Sequence, residues 1–129
     1  MNAAKPSSPE PAIRVVMMPR DTNAEGTIFG GVILSFIDQA AFVEARRQAR
    51  HRYVTVCMRE VVFKEPVFTG DVLSLYGETA RIGKTSITVR VKVFAERSRT
   101  PDLAVHVTDA EVIMVAIDEQ SQPTPIIVG

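Results

Sequence analysis

One segment, residues 21–47, constrains the fold more than any other part of the chain. Residues 32–45 contain neither Gly nor Pro, and their apolar side chains fall on almost every side of a helix. Such a helix is expected to be buried nearly all round by the rest of the chain. Asp38 lies within this apolar body with no charged residue beside it, and a carboxylate in that position is costly unless it is paired or used. The segment therefore predicts a central helix and points to Asp38 as a candidate functional residue.

The remaining segments have the two-residue period of strands. Within residues 85–95 apolar and polar side chains alternate, which indicates one buried and one wet face. Four further stretches predict strands: residues 13–18, 53–63, 72–80 and 105–117. In the second of these, Arg59 and Glu60 break the alternation and predict a bulge. The short connections between the last four strands imply antiparallel pairing. Because only one helix is available to cover it, a sheet of about five strands is expected to curl around that helix, which is an α+β fold.

The chain length indicates one domain with a core of its own. At 129 residues the chain is long enough for a single packed interior. We place this domain at residues 12–118. Residues 1–11, rich in Pro, Ser and Ala, are predicted to be a disordered N-terminal segment, and residues 119–129 a C-terminal tail that frays.

The charge balance argues against several classes of partner. Lys and Arg together number 15, as do Asp and Glu, so the formal net charge is zero. A dedicated nucleic-acid binder would carry a basic excess, and no apolar run approaches the roughly 18 residues of a membrane-spanning helix. The N-terminal residues have no apolar stretch, so no signal peptide is expected. A single cysteine, Cys57, fits a reducing compartment. We therefore expect a cytoplasmic protein that binds neither nucleic acid nor membrane.

The predicted sheet would leave strand edges and part of the helix uncovered. Exposed edges of that length invite pairing with another chain. A homodimer that joins two sheets into one would cover both surfaces. We therefore expect a homo-oligomer, with a dimer as its smallest form.

Helix geometry relates the acid to the glycine pair that precedes it. Gly31, Ser35, Asp38 and Phe42 lie along one stripe of the helix. A helix N-terminus concentrates unpaired N–H groups, and glycine there lets a carbonyl oxygen approach those donors and be stabilised as an oxyanion. Gly31 and Asp38 are about 10 Å apart along the axis, too far to share one reacting atom within one chain. Either they belong to different sites, or Asp38 serves a site built on a partner's helix N-terminus.

Each candidate also has a purely structural interpretation. The glycine pair could be an ordinary turn, Asn23 could bond the backbone of its own loop, and Asp38 could be a carboxylate bonded to Ser35 or to a partner's backbone. His51, beside the basic end of the helix, and His106, within a strand, are expected to be structural. The sequence contains no nucleophile elbow, no phosphate-binding loop and no metal-ligand spacing, so no metal is expected.

A longer motif matches a known family. Residues 19–31 read PRDTNAEGTIFGG and are followed seven residues later by Asp38. This segment resembles the signature of hotdog-fold acyl-CoA thioesterases, in particular the bacterial YciA-like acyl-CoA hydrolases. Shorter matches follow in residues 54–56, 63, 66–67, 70–72, 83–86 and 115–118, so the resemblance spans about residues 13–118. It departs at Arg59, where an acidic residue would be expected.

The resemblance implies a fold, an activity and a site. The implied hotdog fold has a long central helix wrapped by an antiparallel sheet, in dimers that share one continuous sheet and often in hexamers built from three dimers. The implied activity is hydrolysis of acyl-CoA at the dimer interface, with no cofactor, because CoA is part of the substrate. Asp38 would be the catalytic carboxylate, as general base or as nucleophile. Asn23 of the other subunit would hold the water or the thioester.

The same resemblance assigns roles to backbone and loop groups. The N–H groups near Gly30 and Gly31 would polarise the thioester carbonyl. The turn made by Gly83, Lys84, Thr85 and Ser86 would lie near the CoA moiety. The CoA phosphates would meet Lys84 and one of two further cations, Arg97 or Arg99.

Three functions remain open on the sequence. The first is a CoA-thioester hydrolase that uses Asp38 and Asn23. The second is a hotdog module that binds acyl-CoA without turnover. The third, a hotdog dehydratase, is disfavoured because it would need a His early in the helix segment, and no His precedes His51.

Overall fold

The chain folds into one α-helix, one short 3-10 turn and five β-strands. A computed structural model describes residues 5, 7–100 and 102–127. In chain order the elements are β1 (Ile13–Val16), the 3-10 turn (Pro19–Asp21), α1 (Gly30–Gln48), β2 (Arg52–Arg59), β3 (Val72–Ile82), β4 (Ser86–Glu96) and β5 (Ala104–Ile117). The predicted order of a strand, a long helix and four further strands is confirmed.

The five strands form one antiparallel sheet in the order β1-β3-β4-β5-β2. Short connections join β3 to β4 and β4 to β5, whereas β1 and β2 pair with strands that are distant in sequence. β4 lies in the middle, where Val91 is opposite Gly77 on β3 and Ala110 on β5. β1 and β2 are therefore the two edges of the sheet in a single chain.

The sheet packs its concave face on one side of α1. Every second side chain of β4 is completely buried: Ile87, Val89, Val91, Val93 and Ala95. The helix contributes a matching stripe to the same core: Ile33, Ile37, Ala40, Ala41 and Ala45. Neighbouring β4 residues such as Arg90 and Lys92 are exposed, as the alternation in the sequence predicts. The α+β class, with a curled five-stranded antiparallel sheet around one helix, is confirmed.

The helix is not buried all round, contrary to the expectation from sequence. Phe42 and Val43 on its outer side are 37% and 43% exposed. Apolar residues of the segment 32–45 lie on both sides of the helix, and the curled sheet of one chain covers one of these sides. Within the described part of the chain, no helix combines the length and apolarity needed to cross a membrane.

Strand β2 differs from its prediction in one detail. Its irregularity lies between Thr55 and Cys57, where the register with β5 shifts. The bulge predicted at Arg59 and Glu60 is wrong. The strand ends at Arg59, because Glu60 has a left-handed backbone with φ of 61°, a conformation that interrupts an extended chain.

The C-terminal tail is docked as far as Ile127, so the predicted fraying is wrong for this part. Ile126 is only 2% exposed, and its N–H donates to the carbonyl of Lys84 at 2.8 Å. Thr124 N–H donates to the carbonyl of Ala116 on β5 at 2.9 Å. Burial of Ile126 and these backbone hydrogen bonds together hold the tail against the domain.

The N-terminal segment is described only in part. Residues 1–4 and 6, on which much of the predicted disorder falls, lie outside the described residues. The backbone N–H of Lys5 donates to Gln48 Oε1 at 2.6 Å, and its ammonium donates to the carbonyl of Arg47 at 3.0 Å. Lys5 is thus bonded to the last turn of α1.

Candidate active site

Asp38 lies near the middle of α1, at the wall of an apolar cavity. The cavity has a volume of about 560 Å³ between the outer side of α1 and the start of β2, and Phe42 and Tyr53 contribute to its lining. Asp38 Oδ1 accepts a hydrogen bond of 2.5 Å from the hydroxyl of Thr55 on β2. Within the described residues no donor reaches the second oxygen, Oδ2. The carboxylate is therefore fixed at one oxygen and open to the cavity at the other.

The structural alternative in which Ser35 holds Asp38 is not what the structure shows. The Ser35 hydroxyl accepts a hydrogen bond of 3.3 Å from Gln39 Nε2. Asp38 is bonded instead across to the edge strand β2. The side chain of Asp38 thus depends on β2 for its orientation.

The start of α1 carries two unpaired backbone donors. The N–H of Val32 donates to the carbonyl of Phe29 at 3.0 Å, and the N–H of Phe29 donates to the carbonyl of Asp21 at 2.8 Å. The N–H groups of Gly30 and Gly31 meet no acceptor among the residues that the structure describes. Free donors at a helix N-terminus, where the helix dipole is positive, form a natural place for an oxyanion.

Two aromatic rings flank the glycine pair. A Cβ atom on Gly31 would lie 2.8 Å from Cε2 of Phe29, and one on Gly30 would lie 3.7 Å from Cε2 of Phe63. The Phe29 ring can therefore occupy its position only because Gly31 has no side chain. Phe29 is 58% exposed, so its ring has room to turn away from the donors.

Asn23 bonds its own loop, as its structural interpretation predicted. Its Nδ2 donates to Thr27 Oγ1 at 2.8 Å, and its Oδ1 accepts from the N–H groups of Glu25 at 2.8 Å and Thr27 at 3.2 Å. Gly26 closes this turn with a φ of +85°. These bonds fix the Asn23 amide. Thr27 accepts one of its two amide hydrogens, and the second is left for another acceptor.

The turn between β3 and β4 holds the other residues predicted to contact substrate. Gly83 N–H donates to the carbonyl of Ser86 at 2.8 Å, and the carbonyl of Thr85 accepts from Ala116 N–H at 2.9 Å. Lys84 is exposed, and its carbonyl accepts from the C-terminal tail. Hydrogen bonds therefore fix the backbone of this turn, and the exposed Lys84 side chain extends from it.

Of the two arginines predicted as further phosphate contacts, Arg97 is already engaged. Its Nη1 donates to Asp71 Oδ2 at 2.5 Å and to the carbonyl of Pro66 at 2.9 Å. Its guanidinium lies 4.9 Å from the ring centre of Phe68. Asp71 is 2% exposed, so this ion pair holds a loop together, and Arg99 is the more exposed cation of the two.

One chain does not assemble the predicted site. Asn23, the pair Gly30 and Gly31, and residues 83–86 are all outside the lining of the Asp38 cavity. The described residues also contain no group of His, Cys, Asp or Glu side chains that could hold a metal ion.

The sequence reasoning missed a second carboxylate in α1, Glu44. It is 3% exposed and accepts hydrogen bonds from Arg47 at 2.7 Å, Gln48 at 3.0 Å and Thr79 on β3 at 2.7 Å. Burial alone would raise the pKa of Glu44, but the hydrogen bonds from Arg47, Thr79 and Gln48 outweigh it and hold that pKa below its ordinary value. The available signal was the spacing of three residues between Glu44 and Arg47, which is that of a helical ion pair.

The helix and β3 approach closely beside Glu44. A Cβ atom on Gly77 of β3 would lie 2.8 Å from the Cβ of Glu44 and 3.4 Å from the carbonyl oxygen of Ala40. Glycine is what permits this approach. The Glu44 network therefore ties the helix to strand β3.

Comparisons with known proteins agree with this architecture. The family model described as "Thioesterase superfamily" matches residues 25–101, more than half of the chain. An uncharacterized acyl-CoA thioester hydrolase of Zymomonas mobilis is 40% identical over 91% of this chain and 78% of its own length. The acyl-CoA thioester hydrolase YciA of Salmonella typhimurium is 35% identical over 91% of this chain and 90% of its own length.

A solved structure extends the likeness to three dimensions. The crystal structure of a hexameric hotdog fold thioesterase of Campylobacter jejuni has a TM-score of 0.86 and 45% identity, covering 92% of this chain and 90% of that one. The chain belongs to the hotdog-fold acyl-CoA thioesterases. The resemblance noted in residues 19–31 is thereby confirmed at the level of the family, and membership favours turnover over a dehydratase or a binding module.

Proposed function

We propose that the chain hydrolyses acyl-CoA to a free acid and CoA at a site formed between two copies of itself. The observation that carries this proposal is the Asp38 carboxylate, open at one oxygen in an apolar cavity. An apolar cavity beside a carboxylate suits an acyl chain that ends in a reactive carbonyl group. The relatives named above are acyl-CoA thioester hydrolases, which supports the same substrate class.

The second catalytic element is the pair of free N–H groups at Gly30 and Gly31 of the partner. Seven residues of helix separate Gly31 from Asp38, about 10 Å along the axis. A carboxylate and an oxyanion hole that serve one carbonyl must each lie within hydrogen-bond reach of it. Two helices in a symmetric dimer satisfy this, because each lends its Asp38 to one site and its glycine pair to the other.

The proposed reaction begins with attack on the thioester carbonyl carbon. In one route Asp38 takes a proton from water, and the resulting hydroxide forms the new C–O bond. In the other route Asp38 itself attacks and gives an acyl anhydride, which water then hydrolyses. In both routes the carbonyl oxygen becomes an oxyanion that accepts hydrogen bonds from Gly30 and Gly31. Collapse of this oxyanion breaks the C–S bond, and in the second route this step produces the anhydride before water attacks it. The CoA thiolate takes up the proton that Asp38 holds in the first route, and a proton of the hydrolytic water in the second.

Further residues are proposed to orient the substrate. Asn23 of the partner would hold the water or the thioester with the amide hydrogen that is not donated to Thr27. Residues 83–86 would lie against CoA. No cofactor is proposed, and the cytoplasmic location expected from sequence stays a prediction.

A homodimer built on strand β2 would complete this site. On this edge strand, Val54 and Val56 are 42% and 58% exposed, and unpaired edges favour joining of two sheets. The same strand carries Thr55, which holds Asp38. The Campylobacter jejuni thioesterase is hexameric, and we propose the same assembly here, with three such dimers.

The direct test is Asp38→Asn, which keeps the size of the side chain and an oxygen that can accept from Thr55. We expect CoA release from the preferred acyl-CoA to fall at least about a hundredfold, the usual range for loss of a general base. Ser35→Ala, on the same exposed side of α1, is the matched control and should keep the wild-type rate. Full activity of Asp38→Asn would refute the mechanism. Tight acyl-CoA binding without any turnover by the wild type would favour the non-catalytic module.

The shared site has its own test in mixed assemblies. Asn23→Ala subunits and Asp38→Asn subunits, each inactive alone, should recover activity when they are refolded together. In a random mixture, half of the dimers are mixed and each has one intact site, so roughly a quarter of the wild-type rate is expected. Absence of any recovery would place both residues in the site of one chain.

A further inference from the structure

The residue that precedes the first turn of α1 is one that helices rarely use there. The preferred residues are Ser, Thr, Asp and Asn, whose side-chain oxygen accepts a hydrogen bond from a backbone N–H of the first turn. In this chain the residue is Phe29, which makes no such bond, and the first turn contains no acidic residue. The N–H groups of Gly30 and Gly31 therefore have an apolar ring beside them where a competing acceptor is usual.

Two aromatic rings lie against the glycine pair. A Cβ atom on Gly31 would lie 2.8 Å from Cε2 and 3.2 Å from Cδ2 of Phe29. A Cβ atom on Gly30 would lie 3.7 Å from Cε2 and 3.9 Å from Cζ of Phe63. Each of the two backbone donors thus belongs to a residue that is covered by a ring.

The loop that carries Phe63 is bound to strand β5 on both sides of this residue. The carbonyl of Val62 accepts a hydrogen bond of 2.7 Å from the hydroxyl of Thr108. The N–H of Lys64 donates to the carbonyl of Val107 at 2.8 Å. The backbone therefore fixes the place of the Phe63 ring, although the residue lies in a loop between strands.

Both rings face water in one chain, where Phe29 is 58% and Phe63 is 43% exposed. On the outer side of α1, Phe42 beside the Asp38 cavity is 37% exposed. In the proposed dimer, the glycine pair of one copy and Asp38 of the other reach the same carbonyl group. Because the Phe29 ring is in contact with Gly31, that arrangement brings the ring to the thioester and covers exposed apolar surface on both copies.

We infer that Phe29 and Phe63 are positioning residues for thioester hydrolysis, whose rings keep water from the N–H groups of Gly30 and Gly31 in the site of the other copy's Asp38. The inference rests on the proposed function for the role of these donors. Water bound to the donors must leave before the carbonyl oxygen can accept from them, and surrounding water weakens their attraction for the developing negative charge. Apolar rings on both glycines reduce both effects.

The first test is the rate of CoA release by Phe29→Ala. We expect kcat to fall about tenfold, less than the roughly hundredfold to thousandfold loss for removal of an oxyanion donor, with KM changed less than about twofold. Phe29→Leu keeps an apolar side chain and should recover most of the rate, and Phe63→Ala should lower kcat as Phe29→Ala does. Leu103→Ala removes a side chain that is 53% exposed in the loop between β4 and β5. It is the control and should keep the wild-type kcat.

Acyl chains of different length separate this role from a wall of the acyl pocket. A ring that protects the donors acts at the carbonyl group, so Phe29→Ala should lower kcat by the same factor for butyryl-, hexanoyl- and octanoyl-CoA. A loss that grows with chain length and lies mainly in KM would overturn the inference, as would a wild-type kcat. The mass of each variant is compared by light scattering. A loss of rate that accompanies dissociation to monomers would make the ring an interface contact and also overturn the inference.

Mixed assemblies test which copy supplies the ring. When Asn23→Ala and Asp38→Asn subunits are refolded together, the intact site of a mixed dimer combines Asp38 of the first chain with the glycine pair of the second. Phe29→Ala added to the Asp38→Asn chain should lower the recovered rate about tenfold, whereas in the Asn23→Ala chain it reaches only the inactive site. Equal rates of the two mixtures would overturn the inference and leave the proposed function intact. No recovery even with Phe29 unchanged would refute the shared site and the inference with it.

Discussion

Glu44→Ala is the substitution whose cost can be derived most fully from the structure. Glu44 is 3% exposed and receives hydrogen bonds from Arg47, Gln48 and Thr79. Removing one member of a buried ion pair costs about 3–5 kcal/mol, because the other charge loses the carboxylate that balances it. The Arg47 side chain is 33% exposed and can turn to water, so we discount this to about 2–3 kcal/mol. For a chain of this length that corresponds to a decrease in Tm of about 7–11 °C.

The pH dependence follows from the lowered pKa of Glu44. Folding stabilises the ionised form, because the folded-state pKa lies below the ordinary value of 4.5. The contribution is therefore fully present above that ordinary value and is lost as the pH falls through the folded-state pKa. Glu44→Gln keeps the shape of the side chain but has no charge to lose. The difference in stability between wild type and Glu44→Gln should thus be largest near neutral pH and shrink in acid.

The measurement is urea unfolding of the wild type, Glu44→Ala and Glu44→Gln. All three are compared at one protein concentration, because dissociation of an oligomer would otherwise shift the midpoints. Two results would refute the reasoning. One is a loss below about 0.5 kcal/mol for Glu44→Ala, the level of an ordinary surface change. The other is a difference between wild type and Glu44→Gln that stays constant into acid, since then the charge of Glu44 would contribute nothing.

Two further predictions use the same unfolding measurement. Ile126 is 2% exposed, so Ile126→Ala should lower the free energy of unfolding by about 2–4 kcal/mol, as for other buried isoleucines. Ile127 is 74% exposed, so Ile127→Ala should change it by no more than about 0.5 kcal/mol. Equal effects of the two substitutions would mean that the tail is not docked. Gly77→Ala should cost about 1–3 kcal/mol by overpacking, because the new methyl group meets the Cβ of Glu44 and the backbone of Ala40. Gly31→Ala should cost less than about 1 kcal/mol, because it meets only the exposed ring of Phe29 and alanine favours the helix; a larger loss for Gly31→Ala would contradict the steric argument.

The parts of the fold that follow from local periodicity are predictable from the sequence. The alternation around Val89 and Val91 identifies the central strand and its buried face, because successive side chains of a strand point to opposite sides. The helix is equally predictable, since a long and mainly apolar stretch without Gly or Pro is typical of a buried helix. The curled sheet then follows from the number of elements that must share one core.

What the sequence does not reveal depends on contacts between distant residues. Ile126 lies in a stretch of Gln and Pro, and its burial depends on docking of the tail beside Lys84, which is distant in sequence. Glu44 reads as a surface acid beside Arg47, because its burial comes from Gly77 and Thr79 on a strand far along the chain.

The candidate site is predictable to a similar extent. Asp38 stands out because it is a single acid in an apolar setting. Its bond to Thr55 depends on how β2 packs against the helix and is not readable from the spacing of the two residues. Lys5 and residues at the C-terminal end of α1 line one cavity, and no local sequence pattern connects them. The meeting of Asn23 with Asp38 depends on a second chain.

The sheet order has a consequence for how the chain is made. Among the strands described within one chain, β2 pairs with β5, so Arg52 cannot meet Ile117 until Ile117 has left the ribosome. By contrast, β3, β4 and β5 can pair through short turns as they emerge. During that interval β2 exposes a row of valines and unpaired backbone groups, the features that favour aggregation of nascent chains. We therefore expect the soluble yield to respond to the growth temperature and to the rate at which residues 60–110 are synthesised. Substitutions in the loops between β3, β4 and β5 should affect the yield less.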